Sequence, residues 1–339
     1  MSAFPWQPMM PARMMRVHVT GTPAYSISGD ARCLGYQNRV VVVAGVFDGL
    51  HRGHAQLVTH AVERAKRDSV PCVAVTFDPD PGEVLGYNSL SERLLFTPDR
   101  ISGLTGWGVD AVITFSFTRD FAKLSPQAFL RDALCEVLSP TCVFVGENFR
   151  FGEAGAGDIQ TLRDYGRQNG FDVMVEPLLC EREKPISATL IRNLLKDALL
   201  DEANELLGRC HYVRGRVEHG RGEGTGFGFP TANVRCDRHA CMPAEGVYAC
   251  YVSNGNTAWP AAVNVGAPPT FAAHEDAFLE ANLLGFSGDL YGAEVAVSFV
   301  SWLRASRTFE SVDELRNVVL GNIDWVREHL GDHEVAMRS

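Results

Sequence analysis

Between Val40 and about Leu195, short apolar runs rich in β-branched residues, "VVVAGVF", "CVAVTF", "AVITFSF", "CVFVG" and "DVMVEPL", alternate with amphipathic stretches of helical length. Apolar runs of strand length mark strands buried on both faces, and their alternation with helices predicts a parallel sheet joined by helical crossovers. The first crossover spans about His54 to Asp68. There Leu57, Ala61 and Ala65 recur at four-residue steps with Val58 and Val62 beside them, giving one apolar face toward the sheet. Past about Leu207 the rhythm changes to short strands punctuated by Gly, Pro and Asn: "CHYVRGRV", "GVYACYV", "PAAVNVG", "FLEANLL" and "EVAVSFVSW". This pattern predicts a compact antiparallel barrel, closed by a helix that follows a cap at Ser311 and runs to about Leu330.

The expected organisation is therefore an extension over 1–38, an α/β domain over 39–195, a helical bridge over 196–207 ("LKDALLDEANELLG" carries it), a barrel over 208–331 and a tail over 332–339. The first 38 residues show neither clean helical nor strand periodicity and no contiguous apolar core of a secretory signal. They read as a poorly ordered extension, with Met15 as an alternative start.

Composition narrows the classes. A chain of 339 residues with 46% hydrophobic and 21% charged residues holds two domains with cores of their own. A net charge of −10 argues against a nucleic-acid partner, which requires a basic face. Nine cysteines, none in a Cys-x-x-Cys pair, fit reduced thiols in the cytoplasm rather than a disulfide framework or a zinc site. The longest apolar run is far too short to span a membrane, so no membrane partner is expected. A homo-oligomer is left open.

Two stretches carry the chemistry. In "GVFDGLHRGHAQLV", residues 45–58, a buried strand becomes a helix through Gly45, Gly49 and Gly53, which permit a sharp turn and close approach of backbone to a phosphate. Helix N-termini favour anions, and strand C-terminal ends are where open α/β sheets bind ligands. His51 and His54, three residues apart, can then donate to one phosphoryl group and stabilise the charge that grows on it in a transition state. The plainer alternative, two ordinary helix-start residues, is the usual meaning of a bare His-x-x-His pair. No Walker motif is present.

The second stretch is "GRVEHGRGEGTGFGFPTANV", residues 215–234. Its glycines permit positive φ near a nucleotide, and Thr231 and Asn233, two apart on one strand face, can offer oxygens to one metal ion. A flexible hairpin is the alternative. No lysine follows Lys196, so a phosphoryl-transfer site here relies on magnesium, backbone N–H groups and arginine. In "FLEANLL", Glu280 shares a strand face with Phe278 and Asn282, where a carboxylate near the glycine loop can accept a proton from an attacking hydroxyl; an isolated strand glutamate is otherwise a solvated surface residue.

These residues resemble a known family. "GVFDGLHRGH", "GVDAVITFSFTRDFAKLSPQAFL", "VFVGENFRFGEAGAGD" and "ISATLIRNLL", followed by "FGFPTAN", "AAVNVGAPPTF", "LEANLLGF", "DLYG" and "LRASRTF", resemble the motif series of the bacterial bifunctional riboflavin kinase/FAD synthetases over about residues 40–330. The resemblance implies a Rossmann-like nucleotidyltransferase domain that transfers AMP from ATP to FMN, then a riboflavin kinase barrel. Both use magnesium, with FMN and FAD as substrate and products rather than prosthetic groups, and riboflavin, FMN and ATP as partners. It also implies residue roles. Gly45, Phe47, Asp48, Gly49, Gly53, His51 and His54 would contact ATP in the first site, with Ser187, Thr189 and Arg192 gripping the outer phosphates. Asn148, Phe149 and Arg150 would line the flavin cleft. In the second site Gly224, Gly226, Gly228 and Pro230 would contact ATP, Thr231 and Asn233 would hold magnesium, Arg304 would contact flavin, and Glu280 would activate the terminal ribityl hydroxyl.

The chain departs from that pattern in places. Asp80 in "FDPDP" stands where histidine is usual, and an acidic group near a triphosphate repels it unless magnesium or a hydrogen bond intervenes. Asn148 replaces a frequent aspartate, Thr225 an arginine, Asn282 a histidine and Ser306 an acidic residue. Asp80 gives the alternative of a riboflavin kinase whose first half has lost catalysis. A non-enzymatic flavin-responsive protein is a third reading.

Overall fold

A computed structural model describes residues 24–30, 39–86, 92–219, 230–266 and 277–337. The chain divides into two compact units. One contains the described residues up to Ser187 except Glu92–Leu94, and the other contains Glu92–Leu94 and the chain from Ala188 onward.

The first unit is built on a six-stranded sheet. Strands β1 (Tyr25–Gly29), β2 (Arg39–Ala44), β3 (Cys72–Asp78), β4 (Ala111–Ser116), β5 (Ser139–Gly146) and β6 (Asp172–Glu176) lie in the order β1-β4-β3-β2-β5-β6. All neighbours pair in parallel except β1, which runs antiparallel along β4. Sequential strands step outward from β2 to β3 to β4, and the chain then returns to place β5 on the other side of β2. The order reverses between β2 and β5, which makes their C-terminal ends the crevice where such sheets take ligands.

Helix α1 (Arg52–Asp68) buries Leu57, Val58, Ala61, Val62 and Ala65, the face read from the sequence, against one side of the sheet. Helices α2 (Pro81–Leu85), α3 (Thr97–Gly106), α4 (Pro126–Ala128), which continues as a π-helical turn over Phe129–Cys135, and α5 (Ile159–Asn169) complete the crossovers. A small hairpin, β7 (Cys180–Glu181) and β8 (Lys184–Pro185), follows β6.

The expectation for residues 1–38 is corrected at Tyr25–Gly29. "YSISG" is a strand, with Ile27 opposite Ile113 and both Ile27 and Ser28 buried. Five residues whose alternate positions are serine carry too little apolar signal to stand out, and only the unpaired edge of β4 defines them as a strand.

The second unit opens with α6 (Ala188–Lys196) and α7 (Leu200–Leu207). By contacts the units divide at Ser187/Ala188, so α6 and α7, which carry the expected helical bridge, group with the barrel. Leu200, Ala203, Leu206 and Leu207 are buried. Asn204 donates to Phe299 O at 3.1 Å and accepts from His211 N at 2.6 Å, which ties α7 to the barrel. Strands β9 (His211–Glu218), β10 (Ala232–Cys236), β11 (Gly246–Asn254), β12 (Thr257–Val265), β13 (Ala277–Leu283) and β14 (Glu294–Ala305) follow in the order β11-β14-β9-β10-β13-β12. A β11–β12 pairing closes the ring, and β15 (Val335–Ala336) adds to the end of β12. Helix α8 (Val312–Leu330) starts at Ser311, whose Oγ accepts from Glu314 N at 3.1 Å, and packs Ile323 and Val326 with Ala249 and Ala262. Among the described residues no helix is long and apolar enough to cross a membrane.

Candidate active sites

The first constellation begins where β2 ends. Gly45 N donates to Val75 O at 3.1 Å, and the chain turns through Phe47 (φ 57°), Gly49 (φ 79°) and Leu50 (φ 44°) before α1 starts. Bulky residues rarely adopt left-handed backbone, and such strain persists only where the surroundings impose it, typically at a functional loop. Phe47 and Leu50 are fully buried, which anchors the turn. Asp48 is buried too, and its Oδ1 accepts from Leu95 N at 3.0 Å, so this carboxylate pins the loop from within the protein.

His51 is the N-cap of α1, with its Nδ1 accepting from His54 N at 3.4 Å. That bond assigns the proton of a neutral His51 to Nε2. The two imidazoles stack at 3.7 Å between centroids, and Phe47 meets His54 edge-on at 5.3 Å. A Cβ on Gly53 would lie 3.3 Å from the His51 ring, so glycine there leaves room for the imidazole against the first helical turn. Burial pushes the pKa of His51 down to about 4. His54 is pushed well below its ordinary value by burial, by His51 and by Arg100. Both rings are therefore neutral at physiological pH and act as dipolar donors. Among the described residues His54 Nδ1 has no partner although it is buried, an arrangement that calls for an explanation such as a ligand.

On the other side of the reversal point, the chain leaving β5 carries Asn148, Phe149 and Arg150. Asn148 is exposed, Phe149 stacks on Phe151 at 5.6 Å, and Arg150 lies 3.6 Å from Asp158 on the surface. The imidazole pair and this segment thus follow the two strands that flank the crevice.

Asp80, the acidic departure, is held by Arg100. Nη1 of that fully buried arginine lies 2.7 Å from Asp80 Oδ1. The repulsion expected of an acid near phosphate is therefore countered by a fixed protein charge. Arg100 was missed in the sequence because a lone arginine in a short helical stretch reads as a solvated position; its partner lies twenty residues away.

Ser187 is half-buried at the end of the first unit, whereas Thr189 and Arg192 lie in α6 of the second. Arg192 Nε donates to Glu92 O at 2.7 Å. The three residues of "ISATLIR" are thus divided between units.

In the barrel, Asn233 on β10 is directly opposite Glu280 on β13, and Glu280 is directly opposite Asn264 on β12. Paired residues of antiparallel strands point to the same face. Leu279 and Ala281 are buried inside while Glu280 is exposed, so Asn233, Glu280 and Asn264 form a polar row on the outer face. Among the described residues none of these three side chains has a hydrogen-bond partner. Followed by register around the closed ring, the pairing passes from Asn264 to the buried Val247 and on to Arg304, three strands from Glu280. Arg304 lies over Phe309 at 5.7 Å with Arg307 on the same ring at 5.0 Å, and burial together with Arg307 pushes its pKa down. Thr231 and Pro230 precede β10. Asn282, the residue in place of histidine, donates to Pro230 O at 2.8 Å and fastens this entry. Asn264 was missed; "AAVNVG" gives its strand, but only the register reveals its neighbour. Gly224, Gly226 and Gly228 lie outside the described residues.

Thr231 and Asn233 offer hydroxyl and amide oxygens, hard donors that suit magnesium arriving with nucleotide phosphates. No cluster of three or more His, Cys, Asp or Glu able to hold a metal occurs among the described residues.

These two constellations, one at the crevice of a parallel sheet and one on a closed barrel, fit a two-domain transferase. Residues 34–190 match the family model for FAD synthetase and residues 207–330 that for riboflavin kinase. The bifunctional riboflavin kinase/FMN adenylyltransferase of Escherichia coli K12 is 36% identical over 87% of this chain and 94% of its own length. That of Bacillus subtilis is 32% identical over 89% and 94%. The crystal structure of a protein from Streptococcus pneumoniae named as a macrolide-efflux protein is 30% identical, covers 87% of this chain and 96% of its own, and superposes with a TM-score of 0.78. The chain belongs to the bifunctional riboflavin kinase/FMN adenylyltransferase family.

Proposed function

We propose that this enzyme makes FAD from riboflavin in two separate sites. In the barrel, Glu280 accepts the proton of the terminal ribityl hydroxyl as that oxygen bonds to the γ-phosphorus of ATP; the bridging P–O bond breaks and ADP leaves. Asn233 and Asn264 flank the carboxylate on the two neighbouring strands. Arg304 is the candidate flavin contact of this half. Thr231 and Asn233 would hold magnesium, which when bound neutralises the outer phosphates. With no lysine in this half, arginines and backbone N–H groups supply the rest.

At the sheet crevice a phosphate oxygen of FMN bonds to the α-phosphorus of ATP and pyrophosphate departs. Neutral His51 and His54 donate to the non-bridging oxygens and gain strength as charge grows there, without giving up a proton. Phe149 offers a ring for the flavin and Asn148 a donor and acceptor pair. Ser187, which closes the same unit, serves the outer phosphates. The free thiols of all eight described cysteines support a reducing, cytoplasmic location.

The observation that carries this reading is that the imidazole pair and the Asn233–Glu280 pair fall in different units. Product analysis with riboflavin, ATP and magnesium tests it: FMN and then FAD are expected. FMN accumulating without FAD would select the kinase with an inactive first half. The Asp80–Arg100 ion pair removes the main reason to favour that alternative.

A further inference from the structure

Among the described residues Arg100 is the largest fully buried side chain, and its charge is distributed among four acceptors. Nη1 donates to Val46 O at 2.8 Å and to Asp80 Oδ1 at 2.7 Å; Nη2 donates to Thr97 Oγ1 at 3.0 Å and to Phe77 O at 3.3 Å. Four of its five N–H groups are engaged, and Nε is the one left without a partner.

Three of the acceptors belong to two loops, and the fourth, Thr97, opens Arg100's own helix. Val46 opens the turn that carries Phe47, Gly49, Leu50 and His51, while Phe77 and Asp80 bracket the end of β3. Strands β2 and β3 are neighbours, so the guanidinium fastens together two of the loops at the C-terminal edge of the sheet. Thr76 Oγ1 on β3 also donates to the Val46 carbonyl, at 2.9 Å, and Asp48 accepts from Leu95 N just before α3, so the strained turn is held from both elements. The fork geometry matters because a lysine ammonium cannot serve four acceptors fixed in this plane.

We propose that Arg100 is a positioning residue for adenylyl transfer, with Asp80 as its counter-ion: it fixes the turn that presents His51 and His54 and supplies a permanent positive field behind them without touching substrate. The inference rests on the adenylyltransferase reading of this crevice. A buried arginine without its carboxylate is a costly arrangement, so Asp80 here supports the phosphate site.

The test uses the full chain as wild type, Arg100→Lys, Asp80→Asn and the double variant, each assayed for FAD formation from FMN and for riboflavin phosphorylation. Arg100→Lys is expected to lower kcat for FAD formation at least about tenfold, with KM for FMN and ATP within about threefold. Asp80→Asn, close in shape and still able to accept from Nη1, is expected to lower kcat by about three- to tenfold, and the double variant to fall little below the worse single variant. Riboflavin phosphorylation should stay within about twofold throughout, because Arg100 lies in the other unit. Wild-type kcat in either single variant, losses that multiply in the double variant, or KM values that rise in step with lost kcat would overturn the proposal. Should Arg100→Lys not fold, Asp80→Asn decides alone by the same kcat criterion. A wild-type chain that makes no FAD would instead defeat the adenylyltransferase reading itself, before any variant is compared.

Discussion

Asn233 and Glu280 are cross-strand partners on the outer face of the barrel, with Asn264 completing the row on the next strand. A metal-suited amide and a carboxylate are thereby set side by side by backbone hydrogen bonding alone. The kinase chemistry needs that adjacency, since the proton acceptor must stand next to the neutralised phosphate. Asn264→Ala is expected to lower kcat for riboflavin phosphorylation by about tenfold with little change in FAD formation from FMN, measured as initial rates of both reactions on one preparation. Equal effects on the two rates would count against a role for Asn264 beside Glu280.

Asn282 closes the entry to the same strand by donating to the Pro230 carbonyl. Asn282→Ala removes one hydrogen bond, worth about 1 kcal/mol, and frees the segment that carries Thr231. We expect the KM for ATP in the kinase reaction to rise about threefold to tenfold, with more magnesium needed for half-maximal rate. An unchanged magnesium titration would show that this bond is only a strand-end tie.

Gly53 admits the His51 ring. In Gly53→Ala the added methyl would lie 3.3 Å from the imidazole, tighter than ordinary contact, so the ring must shift. FAD formation should fall by about tenfold while riboflavin phosphorylation holds, and a crystal structure of the variant should show the stacked pair displaced. Full FAD synthesis with a displaced ring would remove His51 from the mechanism.

The histidine pair also sets a pH signature. His51 in the fold titrates near 4, against about 6.5 unfolded. The unfolded chain therefore binds more protons between these values, and stability is fully present above about pH 6.5 and falls as pH drops toward 4. The loss from His51 is on the order of 3 kcal/mol. His54 shifts in the same direction. Denaturant titrations between pH 4 and 8 should show this slope, reduced in His51→Ala. Adenylyl transfer should show no histidine inflection between pH 6 and 8.

Much of this was legible in the sequence where periodicity carries it. The five buried positions of α1, the alternation that exposes Glu280 and the Ser311 cap all follow from local spacing, and the structure reproduces them. What escaped depends on distant partners. The strand at Tyr25–Gly29 exists because β4 offers an edge, and α7 belongs to the barrel because Asn204 meets Phe299 and His211. Arg100 looks like a surface charge, and Asp80 like an acid that repels phosphate, until the loops after β2 and β3 are brought side by side. Asn264 becomes informative only once register places it against Glu280.

The separation of the two chemistries is tested most directly by following flavin products in two variants, Glu280→Gln and His51→Ala, each supplied first with riboflavin and then with FMN. Glu280→Gln should lose FMN formation by about a hundredfold or more yet convert added FMN to FAD at the wild-type rate, and His51→Ala should make FMN normally and stop there. Parallel loss of both products in either folded variant would contradict two independent sites.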